Sequence, residues 1–165
     1  MTDIVLQKMF TYYGTDVLRI NHALKVYSFA NFIARREGLS HKQLEIVDIA
    51  AILHDIGIPA AEKKYNSSSG HYQEIEGPPI ARKLLADLNL DKTLLNRVCF
   101  LIGNHHSYQQ IDGIDFQILI EADFLVNSYE NKLPGHAIAS FRKSYFKTQT
   151  GTATLKSMYA TADDK

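Results

Sequence analysis

His54 and Asp55 stand side by side at the end of an apolar run, just before a turn containing Gly57. A carboxylate at the C-terminal end of a helix opposes the helix dipole, which favours cations there. Asp55 therefore calls for a compensating positive charge. A divalent ion supplies one; a solvated pair that merely ends the helix is the other reading. His22 lies one predicted helix earlier, among Ile20, Ala23, Leu24 and Val26, on a face that should pack inward. It reads as a metal ligand or as a hydrogen-bonded core histidine. Asp123 sits between Ala122 and Phe124 in a further apolar segment. A buried carboxylate must be paired or bound to a metal, because desolvating it alone is costly. Arg97 and Lys83 are the alternative partners. Two histidines and two carboxylates from three helices suit manganese, iron, cobalt, nickel or zinc.

The chain holds seven histidines, two of them adjacent, His105 and His106. Neighbours on a helix point roughly 100° apart, so one reading of the pair has one member facing solvent, and the other has both as ligands. Given a metal, water can be activated near neutrality, and no serine, threonine or cysteine nucleophile is needed. Cys99, in the run Val98-Cys99-Phe100-Leu101, reads as core. Asp55 is the carboxylate best placed to orient an attacking water. Lys63 and Lys64, after the His-Asp pair, are candidates for steadying negative charge on a substrate, or are simply solvated. Lys25 is a lesser candidate of the same kind. Glu74 and Glu76 fit either a carboxylate behind a histidine ligand or the acidic first turn of a helix.

Helical periodicity must position these groups. It predicts helices over 2–12, 16–37, 41–54, 77–88, 92–104 and 116–129, with a less regular helical region over 136–160. Asp16 and Asp91 are candidate N-caps, and Ser40 with Gln43 forms a capping box. Pro78 and Pro79 suit a first helical turn, which starts the fourth helix near 77. Segments 56–70 and 107–115 read as loops. No alternating run argues for a sheet, so the expected class is all-α, in one domain.

At four of these positions the sequence resembles the HD-domain superfamily of metal-dependent phosphohydrolases. The pattern is His22 on one helix, then Ala-Ala-Ile-Leu-His54-Asp55-Ile-Gly57, then Glu121-Ala-Asp123 on a later helix. The resemblance runs over about 16–130, and AAILHDIG is its specific part. It implies a single HD-type helical bundle with a C-terminal helical extension over 136–160. It also implies a metal held by His22, His54, Asp55 and Asp123. In members with a second ion, the further ligands correspond here to His71, His105 and His106, with Asp55 bridging. One or two divalent ions per chain are thus expected. The implied activity is hydrolysis of a phosphate mono- or diester of a nucleotide or other small metabolite. The rivals are a mixed-valent di-iron oxygenase on the same fold and a non-catalytic nucleotide-binding module.

Composition narrows the partners. Eighteen basic residues balance eighteen acidic ones, which gives no footprint for bulk nucleic acid. No apolar stretch approaches the roughly 20 residues that span a bilayer, so no membrane partner is expected. The N-terminus lacks the pattern of a signal peptide, and the single cysteine forms no intrachain disulfide. A small phosphorylated substrate in the cytoplasm is the expectation; nothing signals an oligomeric state.

Overall fold

The computed structural model describes residues 1–159, and its elements follow from the sequence in order. They are α1 (Thr2–Tyr13), α2 (Val17–Arg36), α3 (His41–Leu53), α4 (Ile58–Tyr65), α5 (Gly70–Leu85), α6 (Lys92–Ile102), α7 (Ile114–Glu130), α8 (Gly135–Tyr145) and α9 (Gln149–Met158). Short 3-10 turns at Ala86–Leu88 and Tyr108–Gln110 complete them, and no strand occurs among the described residues. The all-α bundle expected from periodicity is what forms.

The three predicted caps are all made. Asp16 accepts from the Arg19 amide, and Asp91 from that of Leu94. Ser40 and Gln43 cap one another reciprocally. Such caps satisfy amides that the first helical turn leaves without partners.

Helix α3 is the centre of the molecule. Every residue from Ile46 to Leu53 is buried. It packs against α1, α2, α6 and α7, while α2 also lies along α7. Small side chains at Ala23, Ala30, Ala50 and Ala51, all buried, let these helices approach. One continuous apolar core results, from Val5 in α1 to Leu155 in α9. No helix among the described residues is long and apolar enough to cross a membrane.

Three expectations need correction. Segment 56–70 is not a loop: α4 occupies most of it, starting at Ile58-Pro59 and closing on Asn66 in the left-handed region, φ 52°. The fourth predicted helix starts at Gly70, not 77, and carries Pro78 and Pro79 inside it. Proline there removes two backbone donors, but packing holds the turn. A Cβ on Gly57 would lie 2.6 Å from the Gln73 carbonyl and 2.7 Å from the Gly77 nitrogen, so α5 rests directly on the backbone of the His-Asp turn. Region 136–160 is two helices, with Thr148 capping the second through the Gly151 amide; Ala160 lies outside the described residues.

Candidate metal centre

The C-terminal end of α3 delivers His54 and Asp55 to a point where α2 brings His22 and α7 brings Asp123. His22 Nε2 lies 3.1 Å from His54 Nε2, 3.2 Å from Asp123 Oδ1 and 3.5 Å from Asp55 Oδ2. His54 Nε2 lies 3.4 Å from Asp55 Oδ2 and 3.5 Å from Asp123 Oδ1. With bonds of about 2.1 Å, neighbouring ligands stand about 3.0 Å apart in an octahedral shell and about 3.4 Å apart in a tetrahedral one. The observed separations, 3.1 to 3.5 Å, lie close to those values. Neither Arg97 nor Lys83 is the partner of Asp123. Arg97 is tied to Asp112 and Asp115, and Lys83 lines a cleft with Lys8 and Tyr12 on the α1 side.

A second group adjoins the first. Asp55, His105 and His106 can each bring one ligating atom within 4.8 Å of the others. Asp55 belongs to both groups: Oδ2 faces His22 and His54, while Oδ1 lies 3.4 Å from His105 Nε2. His105 is wholly buried, and its Nε2 has no hydrogen-bond partner. A buried nitrogen left without a partner is costly, and a place in a ligand set would satisfy it.

Hydrogen bonds fix which ring nitrogen is free. His54 Nδ1 donates to the Ala51 carbonyl at 2.9 Å, and His105 Nδ1 to the Ile102 carbonyl at 2.9 Å. His22 Nδ1 donates to Glu130 Oε2 at 2.8 Å. Carbonyls and carboxylates only accept, so all three histidines present Nε2 as the lone pair. His106 is reversed. The Gln73 amide donates to the Ser68 carbonyl, which turns Gln73 Oε1 toward His106 Nε2 at 2.9 Å. Nε2 must then carry the proton, leaving Nδ1 as the lone pair.

The electrostatics agree with a donor set made for a cation. Burial alone would raise the Asp55 and Asp123 carboxyls; the facing histidines overcome it and hold both below the ordinary range. Burial opposes charge on His22 and His54, yet the two carboxylates raise both. Burial pushes His106 down to about 4.

Other predicted residues fall elsewhere. His71 stands exposed on the first turn of α5, beside Tyr72, and joins neither group. Lys63 is exposed on α4, and Lys64 is bound to Glu76 at 2.8 Å; neither bonds to the cluster. Lys25 pairs with Glu130. His105 and His106 stand together, with ring centroids 4.0 Å apart, as the reading with both in one group has it. Helix α6 ends at Ile102, so the pair lies on a turn where helical spacing no longer applies. The sequence reading missed Glu130 and Gln73, whose signal is only their long-range pairing. Glu74 takes neither of the two roles expected of it: it accepts from the His106 backbone amide and the Ser107 hydroxyl.

Among curated proteins none matches the chain. A solved structure from an uncultured Thermotogales bacterium, described as a predicted HD superfamily hydrolase, shares the fold with TM-score 0.70. It is 24% identical, and the match covers 94% of this chain and 83% of that one. The HD domain family model matches residues 19–140. That span holds His22, the His54–Asp55 pair, both histidines after α6, and Asp123, and the chain belongs to the HD-domain family.

Proposed function

We propose that this protein is a metal-dependent phosphohydrolase that cleaves a phosphate mono- or diester of a small metabolite. One observation carries the reading: two groups of ligating atoms share Asp55, and hydrogen bonds aim the histidine lone pairs at them. His22, His54, Asp55 and Asp123 would hold one divalent ion; Asp55, His105 and His106 would hold a second. When bound, such ions supply Lewis acidity, which makes water a nucleophile near neutrality and draws charge from phosphoryl oxygens.

The chain's own residues do the rest. Glu130 and the Ala51 and Ile102 carbonyls keep Nδ1 protonated on three histidines, which preserves their Nε2 lone pairs. Asp55 spans the two groups, Oδ2 toward His22 and His54 and Oδ1 toward His105, and would orient a water bound beside them. The single thiol, Cys99, does not compete: burial pushes it up and it donates to the Pro78 carbonyl. The solved relative's description as a predicted hydrolase supports the same reading.

The test is hydrolysis of p-nitrophenyl phosphate and bis-p-nitrophenyl phosphate by metal-stripped protein reloaded with manganese without oxygen. Turnover that needs the metal and not oxygen is expected. A loaded protein inert toward every phosphate ester would overturn the reading. A reaction that requires iron and dioxygen would replace it with oxygenase chemistry.

A further inference from the structure

Tyr13 is the last residue of α1, and Gly14 ends that helix in the left-handed region, φ 57°. The chain turns at once into α2, and the Asp16 amide donates to the Tyr13 carbonyl at 3.1 Å. Arg19, one helical turn before His22, reaches Glu62 on α4 at 2.6 Å. Helix α4 itself begins at Ile58, directly after the His-Asp turn. Helix α1 packs on both α2 and α3. Tyr13 thus occupies the corner where the end of α1, the start of α2 and the His-Asp turn come together.

The ring belongs to the core, and the hydroxyl does not. Tyr13 is only 7% exposed and is part of the continuous apolar cluster. Tyr12 meets it edge-on at 5.5 Å. Among the described residues no group hydrogen-bonds the Tyr13 hydroxyl. The enclosed side-chain atom left without a partner among them is His105 Nε2, so the phenol oxygen keeps an opening. Phenylalanine would fill the same space without drawing a hydroxyl out of water. A ring held this firmly presents its one polar atom at a fixed place, and the partner of that atom comes from outside the chain.

The opening lies on the side of the metal centre. Burial, then the charge of Asp55, raises the Tyr13 hydroxyl, and Asp55 acts on it more than Tyr12, Arg19 or Asp16 does. A phenol is protonated near neutrality in any surroundings, with an ordinary pKa of about 10, so Tyr13 brings a donor. The cations nearby are already engaged. Arg19 is bound by Asp16 and Glu62, Lys25 by Glu130, and Lys64 by Glu76. The Tyr13 hydroxyl is uncommitted, and an anionic oxygen beside Asp55 is the acceptor it suits.

We infer that Tyr13 contacts the substrate: its hydroxyl donates a hydrogen bond to a phosphoryl oxygen of the ester held at the metal centre. The inference rests on the phosphohydrolase reading. The proton stays on the phenol oxygen throughout, so Tyr13 orients the ester and steadies its charge without entering the bond changes.

The experiment titrates inorganic phosphate into manganese-loaded protein by calorimetry and measures kcat/KM on p-nitrophenyl phosphate. Wild type, Tyr13→Phe and Tyr12→Phe are compared. Tyr13→Phe keeps the ring, so metal content and Tm should match the wild type. Its phosphate Kd should rise about tenfold, and kcat/KM should fall by a similar factor, the scale of one hydrogen bond to a charged acceptor. Tyr12→Phe should change neither, because Tyr12 lines the cleft with Lys8 and Lys83. Unchanged phosphate affinity in Tyr13→Phe, or a wild type that binds no phosphate when loaded, would overturn the contact. An equal loss in Tyr12→Phe, or a loss of metal that accounts for the loss of phosphate, would overturn it too. Failure on every phosphate ester would overturn the hydrolase reading alone, because phosphate binding is read without turnover.

Discussion

Glu130 holds the proton on His22 Nδ1 and is itself paired with Lys25. Carboxylates behind histidine ligands typically matter 10–100-fold, so Glu130→Ala should weaken metal binding by about that factor. A competition titration against a chromophoric chelator reads it. Imidazole ¹⁵N shifts should show His22 shared between tautomers in the variant. Unchanged affinity with one fixed tautomer would contradict the role. This residue was not legible beforehand, because 108 positions separate it from His22 and no local pattern links them. His22 and Asp123 were legible because each is a polar group inside an apolar helix, where it must be partnered, and His54 and Asp55 because the pair ends an apolar run, where a carboxylate opposes the helix dipole. His71 misled for the converse reason: its type fits, but its place on the first turn of α5 faces solvent.

At the scale of elements, the His-Asp turn depends on how closely α5 can lie upon it. A Cβ on Gly57 would meet backbone atoms of Gln73 and Gly77, which no side-chain rotation relieves. Gly57→Ala should therefore destabilise the fold by about 1–3 kcal/mol, typical of overpacking, and loosen Gln73 from His106. Thermal unfolding reads the first effect; a Tm equal to wild type would refute the contact. Gly151 shows the same logic at the other end of the chain. Its Cα side abuts the buried Glu121 carboxylate, which accepts from the Gln117 side chain and the Lys147 and Thr148 amides. Glu121 thus anchors α9 onto α7 and turns away from the metal centre, although it stands in the Glu121-Ala-Asp123 segment. Caps and apolar periodicity located α2, α3, α6 and α7 closely. The α4–α5 hairpin escaped because Gly57, Pro59 and Pro78-Pro79 are local breakers, and the packing that overrides them is tertiary.

At the scale of the whole molecule, stability should respond to pH through Asp48, buried on α3 with Asn31 donating to it at 2.8 Å. Burial raises its carboxyl above the ordinary 3.8, against the lowering effect of Asn31. The folded chain therefore binds this proton more tightly than the unfolded chain. That contribution is complete below the unfolded value and is lost as pH rises through the folded one. Asp48→Asn should raise Tm at pH 7, with the difference shrinking as pH falls to about 4; an equal difference at both pH values would contradict it. Metal would act on the same whole, because the candidate ligands come from α2, the end of α3, α7 and the turn after α6. The most direct measurement is metal content per chain, by plasma mass spectrometry, in wild-type protein and in Asp55→Ala, each purified without chelator. Two ions per chain are predicted for the wild type, one for each ligand group, and fewer than one for a helical, folded Asp55→Ala. Full occupancy retained by Asp55→Ala, or a wild type that binds no divalent ion when loaded, would contradict the shared centre.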